Sequence, residues 1–311
     1  MSSNSVRPPH PDTPLPEATL TGAAASGANP DDHLVLTIVC RDRPGIVHAV
    51  TGAIVRAGGN IIELQQFAST DTGRFFMRVQ IDLTGSTFPF AEAIAPVAEE
   101  FHMEWNLDIV GRPIKTLILA TKAEHCVQDL LFRQKAGLLP IDIVGVVANH
   151  ESLGELAAFY QTPFEYIPIS SPADKVTFEN RVRTIMAEQG VELVVLARYM
   201  QILSPELCRE WEGRVINIHH SFLPGFKGAN PYLQAHKRGV KLIGATAHFV
   251  TENLDEGPII EQNVTRVNHG ESAEALRTIG RDIEVRTLRQ AVGWFAEHRI
   301  LLDGQRTIIF E

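Results

Sequence analysis

The sequence of 311 residues holds three cysteines, Cys40, Cys126 and Cys208, far apart and without a Cys-x-x-Cys pair. That scarcity excludes a disulfide framework and a thiolate zinc site, and the thiols are expected to be reduced. No apolar run approaches the roughly 20 residues needed to cross a bilayer. Residues 1–30 lack both the charged-then-apolar order of a secretory signal and the Arg-rich pattern of a transit peptide, so the expected location is cytoplasmic, with no membrane partner. They are also short of large apolar side chains and are read as a disordered segment, because too little burial is available to offset the entropy of ordering them. Basic residues are in deficit, 28 against 37 acidic ones, and a formal net charge of -9 disfavours nucleic acid as a partner. The 12 His residues include the adjacent pair His219 and His220, which cannot readily face one ion, and no metal is expected.

What is present is enough apolar material, 44%, for two cores. Residues 31–111 read as the first domain. Leu34 to Val39 is a buried strand, Asp42-Arg43-Pro44-Gly45 a turn, and Ile46, Val47, Val50, Ile54 and Val55 recur at helical spacing up to Gly58-Gly59-Asn60. Ile61 to Thr70 and Phe75 to Leu83 form a hairpin around Asp71-Thr-Gly73, Phe90 to Phe101 a second helix and Trp105 to Val110 a last strand. The order βαββαβ is the ferredoxin-like plan.

After Gly111-Arg-Pro113, residues 112–311 form a second, α/β domain. Near-continuous apolar strands at Lys115 to Thr121, Ile141 to Ala148, Leu193 to Ala197 and Val215 onward alternate with helices at Leu153 to Tyr160, Val176 to Gln189 and Pro205 to Trp211, and a stub stands at Tyr166-Ile-Pro168. That pattern signifies an open, mostly parallel sheet covered on both faces. Leu242 to Val250 and Ile259 to Val267 add two strands before a helix from Ser272 to about His298.

The chemistry concentrates between Val215 and Gln262. A short apolar strand delivers Asn217, His219, His220 and Ser221 into a loop broken by Pro224, Gly225 and Gly228, followed by Ala-Asn-Pro231-Tyr. A second apolar strand, Ala245 to Val250, ends in Asn253-Leu-Asp255-Glu-Gly257-Pro258. An amide that donates to an oxyanion, an imidazole that titrates near neutrality and a carboxylate that orients it are thereby placed at strand ends. Taken singly each is an ordinary turn or polar residue; the combination carries the inference.

Asn-Ile-His-His-Ser-Phe-Leu-Pro with Leu-Asp-Glu-Gly-Pro resembles the folate-dependent formyltransferases, and the resemblance makes Asn217, His219 and Asp255 catalytic. His220, where the purine-pathway transformylases commonly carry Pro, and the Gly-Ala-Asn-Pro-Tyr run are similar to formyltetrahydrofolate deformylases. The turn Thr121-Lys-Ala-Glu-His125 has no glycine where those transformylases cradle a ribonucleotide phosphate, which argues against a nucleotide acceptor. Leu196-Ala-Arg198-Tyr-Met200-Gln201-Ile202-Leu203 is the candidate pterin slot, and Arg198, Met200, Gln201, Ile202, Leu203, His220 and Gly257 are the candidate substrate-binding residues. Asp-Arg-Pro-Gly-Ile and Gly-Gly-Asn-Ile resemble the ACT domain. Arg43, Gly45 and Asn60 would then receive a small amino-acid effector, or serve only as turns in an assembly module of a homo-oligomer, dimer or tetramer.

The implied fold is thus a formyltransferase-type α/β domain behind a smaller ACT domain. The implied reaction is hydrolysis of 10-formyltetrahydrofolate, supplying formate for purine synthesis and balancing the one-carbon folate pool, with folate as substrate and no separate cofactor. Its alternatives are formyl transfer to an amine such as glycinamide ribonucleotide, or a catalytically silent amino-acid sensor.

Overall fold

A computed structural model describes residues 33–86, 89–225 and 231–311. The expected disordered segment 1–30 and the Gly228-Ala-Asn run lie outside the described residues.

The first sheet is built from β1 (His33–Arg41), β2 (Asn60–Ser69), β3 (Arg74–Asp82) and β4 (Glu104–Ile109), with α1 (Ile46–Arg56) between β1 and β2 and α2 (Phe90–Phe101) before β4. Its strands are antiparallel in the order β2-β3-β1-β4. Ile46, Val50, Ala53 and Ile54 of α1 and Phe90, Ile94, Val97 and Phe101 of α2 pack on Leu36, Ile38 and Cys40, alternate residues of β1. Gly45 turns the chain into α1 at φ 98, a left-handed conformation that glycine adopts without a Cβ clash. Antiparallel sheets commonly leave one face wet, yet β1 is buried on both. The second face is covered by a hairpin from far along the sequence, β12 (Ile300–Asp303) and β13 (Arg306–Ile309): Leu301, Ile308 and Phe310 pack on Val39 and Phe76. Arg78, 2% exposed on this face, donates to Glu63 at 2.6 Å and to the Glu297 carbonyl at 3.0 and 3.2 Å.

The second sheet has seven strands in the order β11-β10-β9-β8-β5-β6-β7. They are β5 (Ile114–Ala120), β6 (Ile141–Ala148), β7 (Phe164–Tyr166), β8 (Leu193–Ala197), β9 (Val215–His219), β10 (Leu242–Phe249) and β11 (Ile259–Arg266). The first five of these are parallel, and at one edge β10 pairs antiparallel with β9 and β11 antiparallel with β10. The connections carry α3 (His125–Lys135), α4 (Gly154–Phe159), α5 (Pro172–Gln189), α6 (Pro205–Glu210) and α7 (Pro231–Arg238), and α8 (Ala273–Ala296) follows β11. No helix among the described residues is long and apolar enough to cross a membrane.

The sequence reading passed over α3, α7 and the β12–β13 hairpin. Cys126, Val127, Leu130 and Leu131 bury one face of α3 at helical spacing, a short pattern that the reading did not take up, and Pro231, read as loop, starts α7. Helix α5 starts at Pro172 instead of Val176, because the Ser171 hydroxyl accepts from the Asp174 amide while the Asp174 carboxylate accepts from the Ser171 amide.

Candidate active site

From β5 the chain moves to β6 and β7 on one side and then to β8 and β9 on the other, so the strand order reverses between β5 and β8. A crevice opens at the carboxyl ends of strands flanking such a reversal. Here the Met200 amide donates across it to the Thr121 hydroxyl at 2.9 Å. A cavity of about 260 Å³ lies along the segment after β8, the end of β9 and the turn after β10.

Strand periodicity puts Asn217 and His219 on one face of β9. Antiparallel register sets Asn217 opposite His248 of β10 and His219 opposite Thr246. Asp255 stands in the turn beyond β10 at φ 58, with its Oδ1 3.2 Å from His219 Nδ1 and 3.8 Å from His248 Nε2. Structure therefore brings Asn217 and His219 of β9 together with Asp255 of the turn beyond β10. His219 Nδ1 donates to the carboxylate. Its Nε2, on the far side of the ring, has no hydrogen-bond partner among the described residues.

What sequence reasoning missed is the positioning role of His248, considered there only as a third imidazole for a metal. Its Nδ1 donates to the Phe249 carbonyl at 2.8 Å, which leaves Nε2 as an acceptor for Asn217 Nδ2 at 3.1 Å. This bond fixes which way the Asn217 amide faces and leaves its second Nδ2 proton available to a ligand. A signal was present, since Thr246 and His248 repeat the i, i+2 pattern of Asn217 and His219, but it is readable only once β9 and β10 are known to pair.

Burial pushes the Asp255 carboxyl up, but the hydrogen bond and charge of His219, with His248 behind it, outweigh burial and hold it below the ordinary value. Burial lowers His248 and takes His220 down to about 4, the latter helped by the charge of Arg198 and by His219. His220 is thus a neutral ring at pH 7, tilted against His219 with centroids 5.1 Å apart.

Arg198, Met200, Gln201, Ile202, Leu203 and His220 all line the cavity. Met200 and Ile202 are more than half exposed, an apolar pair at the cavity wall. Gly257 does not line the cavity, contrary to its candidate role in binding. A Cβ there would sit 1.8 Å from the Phe249 carbonyl oxygen, so this glycine lets the turn close and thereby places Asp255.

In the small domain, Arg43 and Gly45 border a cavity of about 490 Å³ with His48, Gln66 and Phe67. Asn60 does not belong to it. Helix α1, 11 residues long and so roughly 16 Å at 1.5 Å per residue, separates Gly45 from Asn60. The Arg43 guanidinium is also engaged, 4.0 Å above the Phe101 ring and donating to the Glu100 carbonyl. The three effector candidates are therefore not one site within a chain.

The profile described as formyl transferase matches residues 114–292 and the ACT domain profile residues 34–85. A formyltetrahydrofolate deformylase of Corynebacterium sp. (strain P-1) is 48% identical over 280 residues, covering 88% of this chain and 97% of the relative. One of Bacillus subtilis is 43% identical, covering 88% and 93%. The crystal structure of formyltetrahydrofolate deformylase from Burkholderia mallei superposes with a TM-score of 0.86 at 48% identity, covering 90% of this chain and all of that one. Two profiles in this order and relatives alike over nearly their whole length lead to one conclusion: the chain belongs to the formyltetrahydrofolate deformylase family.

Proposed function

We propose that this chain hydrolyses 10-formyltetrahydrofolate to tetrahydrofolate and formate, with Asn217, His219 and Asp255 as its catalytic residues. The observation that carries the reading is the free Nε2 of His219 beside an amide proton of Asn217 held in place by His248, on an apolar slot sized for a flat ring. Family membership supports the substrate.

The pterin lies against Met200, Ile202 and Leu203, which brings the formyl carbon to His219. Water attacks that carbon and a new C–O bond forms, while His219 Nε2 takes the water proton. Asp255 holds the opposite nitrogen of the ring and stabilises the imidazolium that results. Negative charge collects on the formyl oxygen, where Asn217 donates. The C–N10 bond then breaks, Nε2 returns its proton to N10, and the formic acid so formed gives its remaining acidic proton to water and departs as formate. His220 stays neutral and fills the space beside the pair without exchanging protons.

Amine transfer is disfavoured by the glycine-free turn at Thr121 to His125, where His125 is occupied with Glu284 at 2.7 Å. The cavity bordered by Arg43 and Gly45 is the place we assign to a small effector of the ACT domain. Incubation of the purified chain with 10-formyltetrahydrofolate and no amine tests the main reading: equal yields of tetrahydrofolate and formate are expected, and a strict requirement for an amine acceptor would refute it.

A further inference from the structure

Beside the catalytic cavity lies a second one of about 240 Å³, and the two share Arg198, Met200 and His220 as their common wall. The proposed reaction uses the first and leaves the second without a role. Its lining is strongly cationic for a chain with a formal net charge of -9. Arg277 and Arg281 stand one helical turn apart on α8 and face into it, and Arg198 closes its inner end. Neither Arg277 nor Arg281 forms a salt bridge among the described residues.

The one carboxylate in the lining, Glu284, is already committed. It is 1% exposed, receives Tyr232 Oη at 2.5 Å, pairs with His125 Nε2 at 2.7 Å and stands 3.4 Å from Arg198 Nε. Gly280 makes room for that arrangement, since a Cβ there would sit 2.1 Å from the Tyr232 ring. The cavity therefore holds three guanidinium groups against one carboxylate, of which only Arg198 stands near Glu284, and Arg198 keeps Nε and Nη1 buried without a hydrogen-bond acceptor. Arg198 also holds φ 59, a left-handed conformation unusual for a side chain of its kind, which marks a position fixed by its surroundings.

We infer that this second cavity is a carboxylate site that receives the formate product, an inference that rests on the hydrolytic reading above. Formate acquires its charge at the His219 and His220 end of the catalytic cavity, and Arg198 is the shared wall between that point and Arg277 and Arg281. The volume holds a formate ion and several waters, at roughly 30 Å³ of liquid per water. Formate therefore leaves on the side away from the folate, and the two products do not share an exit.

The test measures inhibition of the full-length chain by sodium formate, with sodium chloride at matched ionic strength, for the wild type, Arg281→Ala and Arg277→Ala/Arg281→Ala. Both arginines are exposed, so truncation opens no core cavity. Carbon-13 formate line broadening on the folate-free protein reads the same site without turnover. The formate inhibition constant is expected to rise roughly tenfold in the single variant, the worth of one charge-assisted hydrogen bond, and further in the double. The broadening is expected to disappear in the double variant. An unchanged inhibition constant with unchanged broadening overturns the inference. So does a rise confined to the KM of the glutamylated substrate and absent with 10-formyltetrahydropteroate, which would give the cavity to the glutamate carboxylates of folate. Failure of the wild type to hydrolyse 10-formyltetrahydrofolate would overturn the functional reading instead, and the broadening experiment would still report on the cavity.

Discussion

Replacing His248 by Leu removes the acceptor that orients Asn217 while keeping most of the buried volume. Because Asn217 faces the cavity, water can satisfy the freed Nδ2 proton, and the fold should tolerate the change. The amide then loses a hydrogen bond whose net worth is about 0.5 to 1.5 kcal/mol, or roughly 2- to 12-fold in the population correctly oriented. The upper bound comes from losing the oxyanion donor altogether, which costs on the order of 100- to 1,000-fold in kcat. We therefore expect kcat to fall roughly tenfold in His248→Leu, within the range set by that hydrogen bond, and by more in Asn217→Ala. KM should barely move, since the contact matures only as charge develops on the formyl oxygen. The decisive measurement is the double variant. If His248 acts through Asn217, Asn217→Ala/His248→Leu will be no slower than Asn217→Ala alone. Multiplicative losses would refute the reasoning and give His248 an independent role, through Asp255 at 3.8 Å.

Steady-state kinetics of His219→Ala should show no turnover, whereas His220→Ala should retain a measurable rate; the reverse ranking would transfer the proton chemistry to His220. Gly257→Ala should depress activity as severely as Asp255→Ala, because a methyl 1.8 Å from the Phe249 oxygen displaces the Asp255 turn, and a crystal structure of the variant would show the shift. Between pH 6.5 and about 4 the unfolded chain binds a proton that folded His220 refuses, so its contribution makes stability fall as pH falls through that window. The full loss is about 3 kcal/mol at 1.36 kcal/mol per unit, and urea unfolding of His220→Gln across the window should lack that increment of pH dependence.

The parts of this site that were legible in the sequence are those set by local spacing. Asn217 and His219 are two apart on a strand, and Asp255 precedes a Gly-Pro break, so each could be placed at a strand end before any fold was known. His248 was not legible because its importance comes from β9 lying beside β10, a pairing no local pattern specifies. The Arg198 and Glu284 pair was hidden for the same reason: one follows β8 and the other sits on α8, and only the wound sheet brings them within 3.4 Å. Asn60 was misplaced by reading nearness in sequence as nearness in space across an intervening helix. Gly257 was assigned a ligand when its constraint is the Phe249 carbonyl. In the fold at large, long apolar strands and long helices are legible in the sequence, while α7 at eight residues and the β12–β13 hairpin with strands of four are too short to show a period.

That hairpin has a consequence for the order in which the molecule can be made. Val39 and Phe76 emerge from the ribosome early, and the residues that cover them, Leu301, Ile308 and Phe310, are translated more than 200 residues later. At about 5 to 20 residues per second, the outer face of the small sheet stays bare for roughly 10 to 50 seconds. Arg78 waits as long for the Glu297 carbonyl. During that interval the nascent chain presents a sticky apolar strip to chaperones and to other nascent copies, so slowing translation of the later residues should raise the aggregated fraction.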